Sequence, residues 1–256
     1  MHELPTASPQ RLFEAFVLRT NSPFFLLLVD LSCAFDSVIR SKLLDLLSPH
    51  LHPDDMFILS VLILDSTFQV KVGGNLSSTF NSSLGVVQGD GLSPLLFILY
   101  LEAALRDLRK ELLALDFKVF EWAFADDITL GSFDSRIMDV MPLVVHAFKP
   151  WNLIVNFSKL EKVTMSPSSS AWKSVRLLGS LLGSSEDILR RLKLSRWAFS
   201  RLWALWLRHH KVPLALRFKL LSAFVTPVLT FGAHLWGATE ASFEKVEAQM
   251  RKFLRT

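Results

Sequence analysis

Glu121-Trp122-Ala123-Phe124-Ala125-Asp126-Asp127-Ile128-Thr129-Leu130 places two adjacent aspartates between two apolar runs. The runs, residues 119–125 and 128–133, are dominated by Phe, Trp, Ile, Thr and Leu, types that suit strands, so the stretch predicts a hairpin with carboxylates at its tip. Two carboxylates side by side where apolar strands meet repel one another, and loss of hydration favours the neutral form of each. A divalent cation is the simplest remedy. Taken alone, the pair also fits an exposed acidic turn.

A second aspartate removes much of that ambiguity. In Phe24-Phe25-Leu26-Leu27-Leu28-Val29-Asp30-Leu31-Ser32-Cys33-Ala34-Phe35-Asp36, six apolar residues run straight into a carboxylate. A short apolar run without polar alternation predicts a strand buried on both faces, with Asp30 emerging at its end. Asp30, Asp126 and Asp127 together form a ligand set for two Mg²⁺ ions, the arrangement that serves phosphoryl transfer.

Asp30 to Asp36 resembles motif A of reverse transcriptases. Gly85-Val86-Val87-Gln88-Gly89-Asp90-Gly91-Leu92-Ser93-Pro94 resembles motif B, and Phe124-Ala125-Asp126-Asp127 resembles motif C. Asn156-Phe157-Ser158-Lys159 is similar to motif D, and Leu178-Gly179-Ser180 to the short motif E that grips the primer. All five stand in the family's order, and the Asp…Ala-Phe-Asp form of motif A resembles the non-LTR, LINE-like retrotransposon enzymes.

The resemblance implies primer extension on an RNA template with deoxynucleoside triphosphates, using two Mg²⁺ ions for which Mn²⁺ can substitute. Asp30 and Asp126 would bridge the metals and Asp127 would assist. Phe35 would be the steric gate against a ribose 2′ hydroxyl, Gln88 and Gly89 would contact nucleotide and template, and Lys159 would sit near the triphosphate. RNA-dependent RNA polymerases place a polar aspartate where this chain has Phe35, and usually Gly where it has Ala125, so both positions favour DNA synthesis.

Composition bounds these expectations. Half of the 256 residues are hydrophobic, 21 of them Phe, and mean hydropathy is positive. Such a chain either touches membrane or has apolar surface covered by parts of a larger polypeptide. The single cysteine, Cys33, excludes an internal disulfide and a multi-cysteine zinc site. Residues 173–256 hold 15 Lys or Arg against 5 Asp or Glu, whereas residues 1–172 hold 13 against 19. An acidic part that holds cations followed by a basic part that holds a polyanion suits a nucleic-acid polymerase. No secretory signal pattern opens the sequence, and the uncharged run at 220–239 reads as two buried segments bent at Pro227 rather than a membrane span. An intracellular setting, nucleus included, is expected.

Along the chain, an amphipathic helix around Leu12, Phe13, Phe16 and Val17 leads into motif A, leaving Arg11 and Arg19 as the only basic residues of a largely absent fingers region. After Asp36 a helix is expected with Val38, Ile39, Leu43, Leu46 and Leu47 inward and Arg40 elsewhere. Phe68, Val70 and Val72 alternate with polar residues before Gly73-Gly74, which predicts a hairpin. Ser93-Pro94 predicts a helix N-cap and first turn, followed by an apolar stripe of Ile98, Leu101, Leu105, Leu108 and Leu112, with Glu102 and Arg106 paired outside. Another helix is expected on Ile137, Met138, Met141, Val145 and Phe148.

A long basic helix over 186–208 would bury Ile188, Leu192, Phe199, Leu202 and Trp206. It would align Arg190, Trp197, Arg201 and Arg208 on one stripe able to follow phosphates. As a solvated face the stripe would look the same. The expected class is α+β: a lead-in remnant of fingers over 1–23, a polymerase palm of small antiparallel sheet packed on helices over 24–183, and a basic, helical, thumb-like region over 184–256. The rival reading is an inactive palm-thumb remnant that binds nucleic acid or protein, lacking the fingers and endonuclease parts of a larger polypeptide; a membrane-associated structural protein is a third.

Overall fold

The computed structural model describes residues 9–64, 67–116, 118–204, 208, 211–233, 236 and 240–255. The elements in chain order begin with helix α1 (Pro9–Thr20), strand β1 (Phe24–Ser32) and helices α2 (Arg40–Leu47) and α3 (Pro53–Leu64). Short strands β2 (Thr67–Phe68), β3 (Lys71–Val72), β4 (Asn75–Leu76) and β5 (Phe80–Asn81) precede helix α4 (Ser93–Leu113). Strands β6 (Phe120–Phe124) and β7 (Asp127–Ser132), helix α5 (Met141–Phe148) and strands β8 (Ile154–Val155) and β9 (Glu161–Met165) follow. The chain closes with β10 (Arg176–Leu177), β11 (Ser180–Leu181) and helices α6 (Ser184–Leu202), α7 (Leu214–Phe224), α8 (Thr226–Thr230) and α9 (Glu240–Arg255). The architecture is the expected α+β one, helices with small antiparallel sheets.

Two compact units form, one from residues 25–162 and one from residues 1–24 with 163–256. In the first, strands run in the order β6-β7-β1-β8, so β1 has a strand on either side. That position explains its unbroken apolar run: Leu26, Leu27, Val29 and Leu31 are all buried. The strand continues through Ser32, so Asp30 stands within it rather than at its end.

Helix α4 packs on α5 and supplies the middle of this core through Leu96, Phe97, Tyr100, Leu101, Ala104, Leu105, Leu108 and Leu112. The expected stripe was turned slightly: Ile98 is exposed, because the wide buried face is centred on Phe97, Tyr100 and Ala104. Likewise Val144, not Val145, is buried on α5. Ser93 is not a cap; it lies buried in the first turn, and no side chain caps α4. Gly73 and Gly74 take positive φ, 56° and 91°, and form the two-residue turn of the β3–β4 hairpin.

Arg40 overturns its expected outer placement. The side chain is buried and donates to the carbonyls of Gly85, Ile63 and Ser82, each at 2.7 Å. One guanidinium thereby joins the start of α2 to the end of α3 and to the loop that carries motif B. A planar fork with five donors can do this where a solvated cation could not.

The other unit centres on Ile188, Leu192, Leu202, Leu221, Val225, Leu229, Trp236 and Phe253. Helix α6 is α-helical to Leu202; Trp203 and Ala204 follow as a π turn, the Arg208 N–H donates to the Trp203 carbonyl at 3.2 Å, and Arg208 is exposed. Trp206 and the side chain of Arg11 lie outside the described residues. Helix α7 ends at Phe224 and α8 begins at Thr226, a break beside Pro227. No helix among the described residues is long and apolar enough to cross a membrane.

Candidate active site

The antiparallel register of β1 with β7 sets Asp30 directly opposite Asp127. Opposed residues in such a ladder project to the same face, so the pairing brings together carboxylates 97 positions apart in sequence. Phe124 pairs with Asp127 in the β6–β7 hairpin, which leaves Ala125 and Asp126 as its two-residue turn. Ala125 accepts a φ of 53°, the left-handed conformation that such a turn demands and a β-carbon resists.

The charges register one another. Asp127 titrates above the usual carboxylate range, first because it loses hydration and then because Asp126 and Asp30 repel its charge, with Lys159 opposing them. Lys159 donates to Oδ1 of Asp30 at 3.0 Å, and this bond holds the ammonium above its ordinary pKa. Asn156 donates from Nδ2 to Oδ2 of Asp30 at 3.3 Å and from its backbone N–H to the Asp30 carbonyl at 2.8 Å. Motif D is therefore seated on motif A. The sequence reading placed Lys159 near a triphosphate and gave Asn156 no separate part; the 126-residue separation from Asp30 hid the contact.

Motif B joins motif A through backbone. Gly85 N–H donates to the Val38 carbonyl at 2.8 Å and Val86 N–H to the Phe35 carbonyl at 3.0 Å. Gly85 has a φ of 80° and could not carry a β-carbon without meeting Asp36. The Phe35 ring stacks on buried Phe97 with centroids 4.6 Å apart, so the proposed gate has a rigid wall behind it. Gln88 and Gly89 are exposed. Gln88 lines a groove of about 390 Å³ with Asp36, Phe68, Phe80 and Ser82.

The hairpin is anchored from behind by Arg109 of α4. It donates to both oxygens of Glu102 at 2.8 and 2.9 Å and to both of Glu121, on β6, at 2.7 and 3.2 Å. Arg106 adds the expected pair with Glu102 at 3.1 Å. Sequence spacing pointed to Arg106 and missed Arg109, because the second partner comes from another element.

In the other unit, Leu178 and Gly179 form the two-residue turn between β10 and β11, with φ of 50° and 81°. Arg190 and Arg191 donate to the Gly179 carbonyl at 3.0 and 2.6 Å. Arg190 is thus engaged with the motif E turn. Ser180 is fully buried and Leu178 exposed, whereas Arg201 is exposed and lies over the ring of exposed Trp197, 4.8 Å from its centroid.

Asp30, Asp126 and Asp127 offer only hard oxygen donors, and a cationic nitrogen already lies against Asp30, so the donor chemistry fits Mg²⁺ or Mn²⁺. Among the described residues no three His, Cys, Asp or Glu side chains close into metal-binding geometry.

The fold is similar to that of solved telomerases. It aligns with telomerase from Candida albicans, in a structure with a TWJ fragment of telomeric RNA, at a TM-score of 0.58 and 13% identity, over 97% of this chain and 50% of that one. With apo telomerase from Candida tropicalis, truncated from its C-terminal domain, the TM-score is 0.53 at 15% identity over 66% of this chain and 36% of that one. The chain thus spans half or less of these relatives' length. None of the curated proteins matches. The sequence model of the family described as reverse transcriptase (RNA-dependent DNA polymerase) matches residues 2–182. The chain belongs to that family.

Proposed function

We infer that this chain is the polymerase part of a retrotransposon-derived reverse transcriptase, related to the non-LTR elements, which extends a DNA primer on an RNA template. The observation that carries the reading is the meeting of Asp30 with the Asp126-Asp127 turn beside the loop of motif B. The family membership supports RNA-directed DNA synthesis as the reaction. An RNA partner is further supported by the telomerase relative solved with a fragment of telomeric RNA.

In this reading residues 24–183 act as palm, with 1–23 the remnant of fingers and 184–256 thumb-like. Asp30, Asp126 and Asp127 would hold two Mg²⁺ ions. When bound, the ions supply activation of the primer 3′ oxygen and neutralisation of charge on the triphosphate. Phe35, backed by Phe97, rejects a 2′ hydroxyl by bulk. Gln88 and Gly89 meet the nascent base pair, and the backbone of Gly89, with a φ of 90° and nothing within 4 Å of where its β-carbon would be, admits close approach. Leu178 and Gly179 touch the primer from the β10–β11 turn, Ser180 supports that turn from its buried position rather than touching nucleic acid, and Arg190, Arg201 and Arg208 follow phosphates.

A second reading is an inactive palm-thumb remnant that binds nucleic acid or protein without catalysis, in which the Lys159 ammonium, 3.0 Å from Asp30 Oδ1, stands where a metal would. Primer extension on poly(rA)/oligo(dT) with Mg²⁺ and dTTP separates the two. Extension by the wild type and none by Asp126→Asn is expected. Duplex binding by both proteins without extension by either would establish the remnant.

A further inference from the structure

Each oxygen of the Asp30 carboxylate has its own partner from one short segment, and the two partners differ in kind. Asn156 cannot turn its amide around without loss. Its Oδ1 accepts from the Ser158 N–H at 3.2 Å and from Ser158 Oγ at 2.6 Å, which commits Nδ2 to Asp30 Oδ2. Its backbone N–H is also fixed to the Asp30 carbonyl. Lys159 is held by one contact at the end of a flexible stem whose side chain is 62% exposed, against 14% for Asp30. The first partner is built in and the second can leave.

We propose that Asn156 is a positioning residue that fixes the Asp30 carboxylate, and that Lys159 is a displaceable counter-ion on its other oxygen, released when a divalent cation takes that oxygen. The proposal rests on the reading of Asp30 as a metal ligand. A metal-free cluster in which Asp30 stands opposite Asp127 beside Asp126 brings like charges together, and an ammonium 3.0 Å from Asp30 relieves their repulsion. A cation arriving at Oδ1 competes with that ammonium for the same lone pairs. Metal loading therefore frees a protonated lysine beside the site, where a polyanionic ligand can receive it. Asn156 keeps Oδ2 in place during the exchange, so the carboxylate need not reorient.

Binding of Mn²⁺ to the purified chain without nucleic acid, followed by the loss of its free-ion electron paramagnetic resonance signal, tests the competition. Lys159→Met should bind Mn²⁺ on the order of fivefold to tenfold more tightly than wild type, the size expected for removing one solvent-screened adjacent charge. Equal affinity in the two proteins overturns the displacement. Asp30→Asn should lose the high-affinity site in both backgrounds; Mn²⁺ binding indifferent to Asp30→Asn would instead remove the metal-ligand reading on which the proposal stands.

Lysine methyl resonances after reductive ¹³C-methylation give a second readout. The Lys159 signal, assigned by its absence in Lys159→Arg, should move on adding Mg²⁺ to wild type and stay fixed in Asp30→Asn. A Lys159 signal unmoved by Mg²⁺ in wild type also overturns the displacement. Asn156→Ala, with its fold checked by circular dichroism, should weaken Mn²⁺ binding severalfold, and Asn156→Gln should not restore it. Unchanged affinity in Asn156→Ala overturns the positioning role.

Discussion

Gly85 lies so close to Asp36 that a β-carbon on the glycine would stand 2.9 Å from the Asp36 α-carbon and 3.1 Å from its carbonyl oxygen. The obstacle is backbone, which cannot swing aside as a side chain would. Gly85 also has a φ of 80°, and its N–H is bonded to the Val38 carbonyl. Gly85→Ala should therefore cost about 3 kcal/mol, from the strained φ and the clash together. A lower urea midpoint with faster amide exchange at Gly85 and Val86 is the expected result. A Gly89→Ala control meets no neighbour and should cost only the strain of its own positive φ.

Arg40 should be among the most sensitive surfaces between α2, α3 and the motif B loop. Three carbonyls depend on its guanidinium, and burial disfavours its charge, so no other arrangement compensates them. Arg40→Met should lose on the order of 3 kcal/mol by leaving buried acceptors unpaired. Arg40→Lys should recover only part, since one ammonium cannot reach three divergent acceptors. Denaturant unfolding of the three proteins reads the order directly; equal stability of Arg40→Met and wild type would show that water replaces the guanidinium.

The part of the site that local pattern could reveal was the part that local pattern builds. Asp126 and Asp127 are legible because a hairpin tip is a sequence-local event, and Asp30 because its strand is buried on both faces. The register that pairs Asp30 with Asp127 is non-local, as are the attachment of Asn156 and Lys159 to Asp30, the Glu102-Arg109-Glu121 bridge and the burial of Arg40. Charge type was misleading in the last case, since a cation between helices reads as solvated until its three acceptors are brought together. Helix faces were displaced by about one position at Ile98 and Val145, because the buried faces are wider than the stripe of large apolar residues that marks them.

The pH dependence of the metal-free protein should carry the mark of the carboxylate cluster. Asp127 titrates higher in the folded chain than its ordinary value of 3.8, so the folded state binds that proton more tightly than the unfolded state. Its contribution to stability must then fall as pH rises through 3.8 and up to the raised folded value. Glu102 has the opposite sign. Arg109 bonds it first and Arg106 next, its pKa is lowered, and its contribution is present above 4.5 and lost as pH falls through the folded value. Asp127→Asn should raise stability at neutral pH and remove the decline on the alkaline side of 3.8, while leaving the acid loss intact. Urea midpoints across that range, without divalent metal, test this; an unchanged profile in Asp127→Asn would mean that Asp127 titrates no higher in the folded chain than in the unfolded one.

Asp187 should decide whether the motif E turn stays seated on α6. The carboxylate is buried and accepts from the Leu181 N–H at 3.0 Å and from Trp236 Nε1 at 2.9 Å, with Arg190 and Arg191 each 3.7 Å away. Arg191 is buried too and lies over the Phe231 ring, 4.3 Å from its centroid, with Asp187 as its ion-pair partner on the same helix. Asp187→Asn keeps the shape and removes the charge, so it isolates the electrostatic part. The loss should be about 3 kcal/mol, typical of a buried ion left without its partner. Since Arg190 and Arg191 both hold the Gly179 carbonyl, their reorientation should loosen residues 176–181 before the unit unfolds. Hydrogen exchange should accelerate first at Leu181, whose N–H loses its charged acceptor. If exchange there matches wild type while the melting midpoint falls, Asp187 serves the helical core through Trp236 alone and the turn is held by the arginines without it.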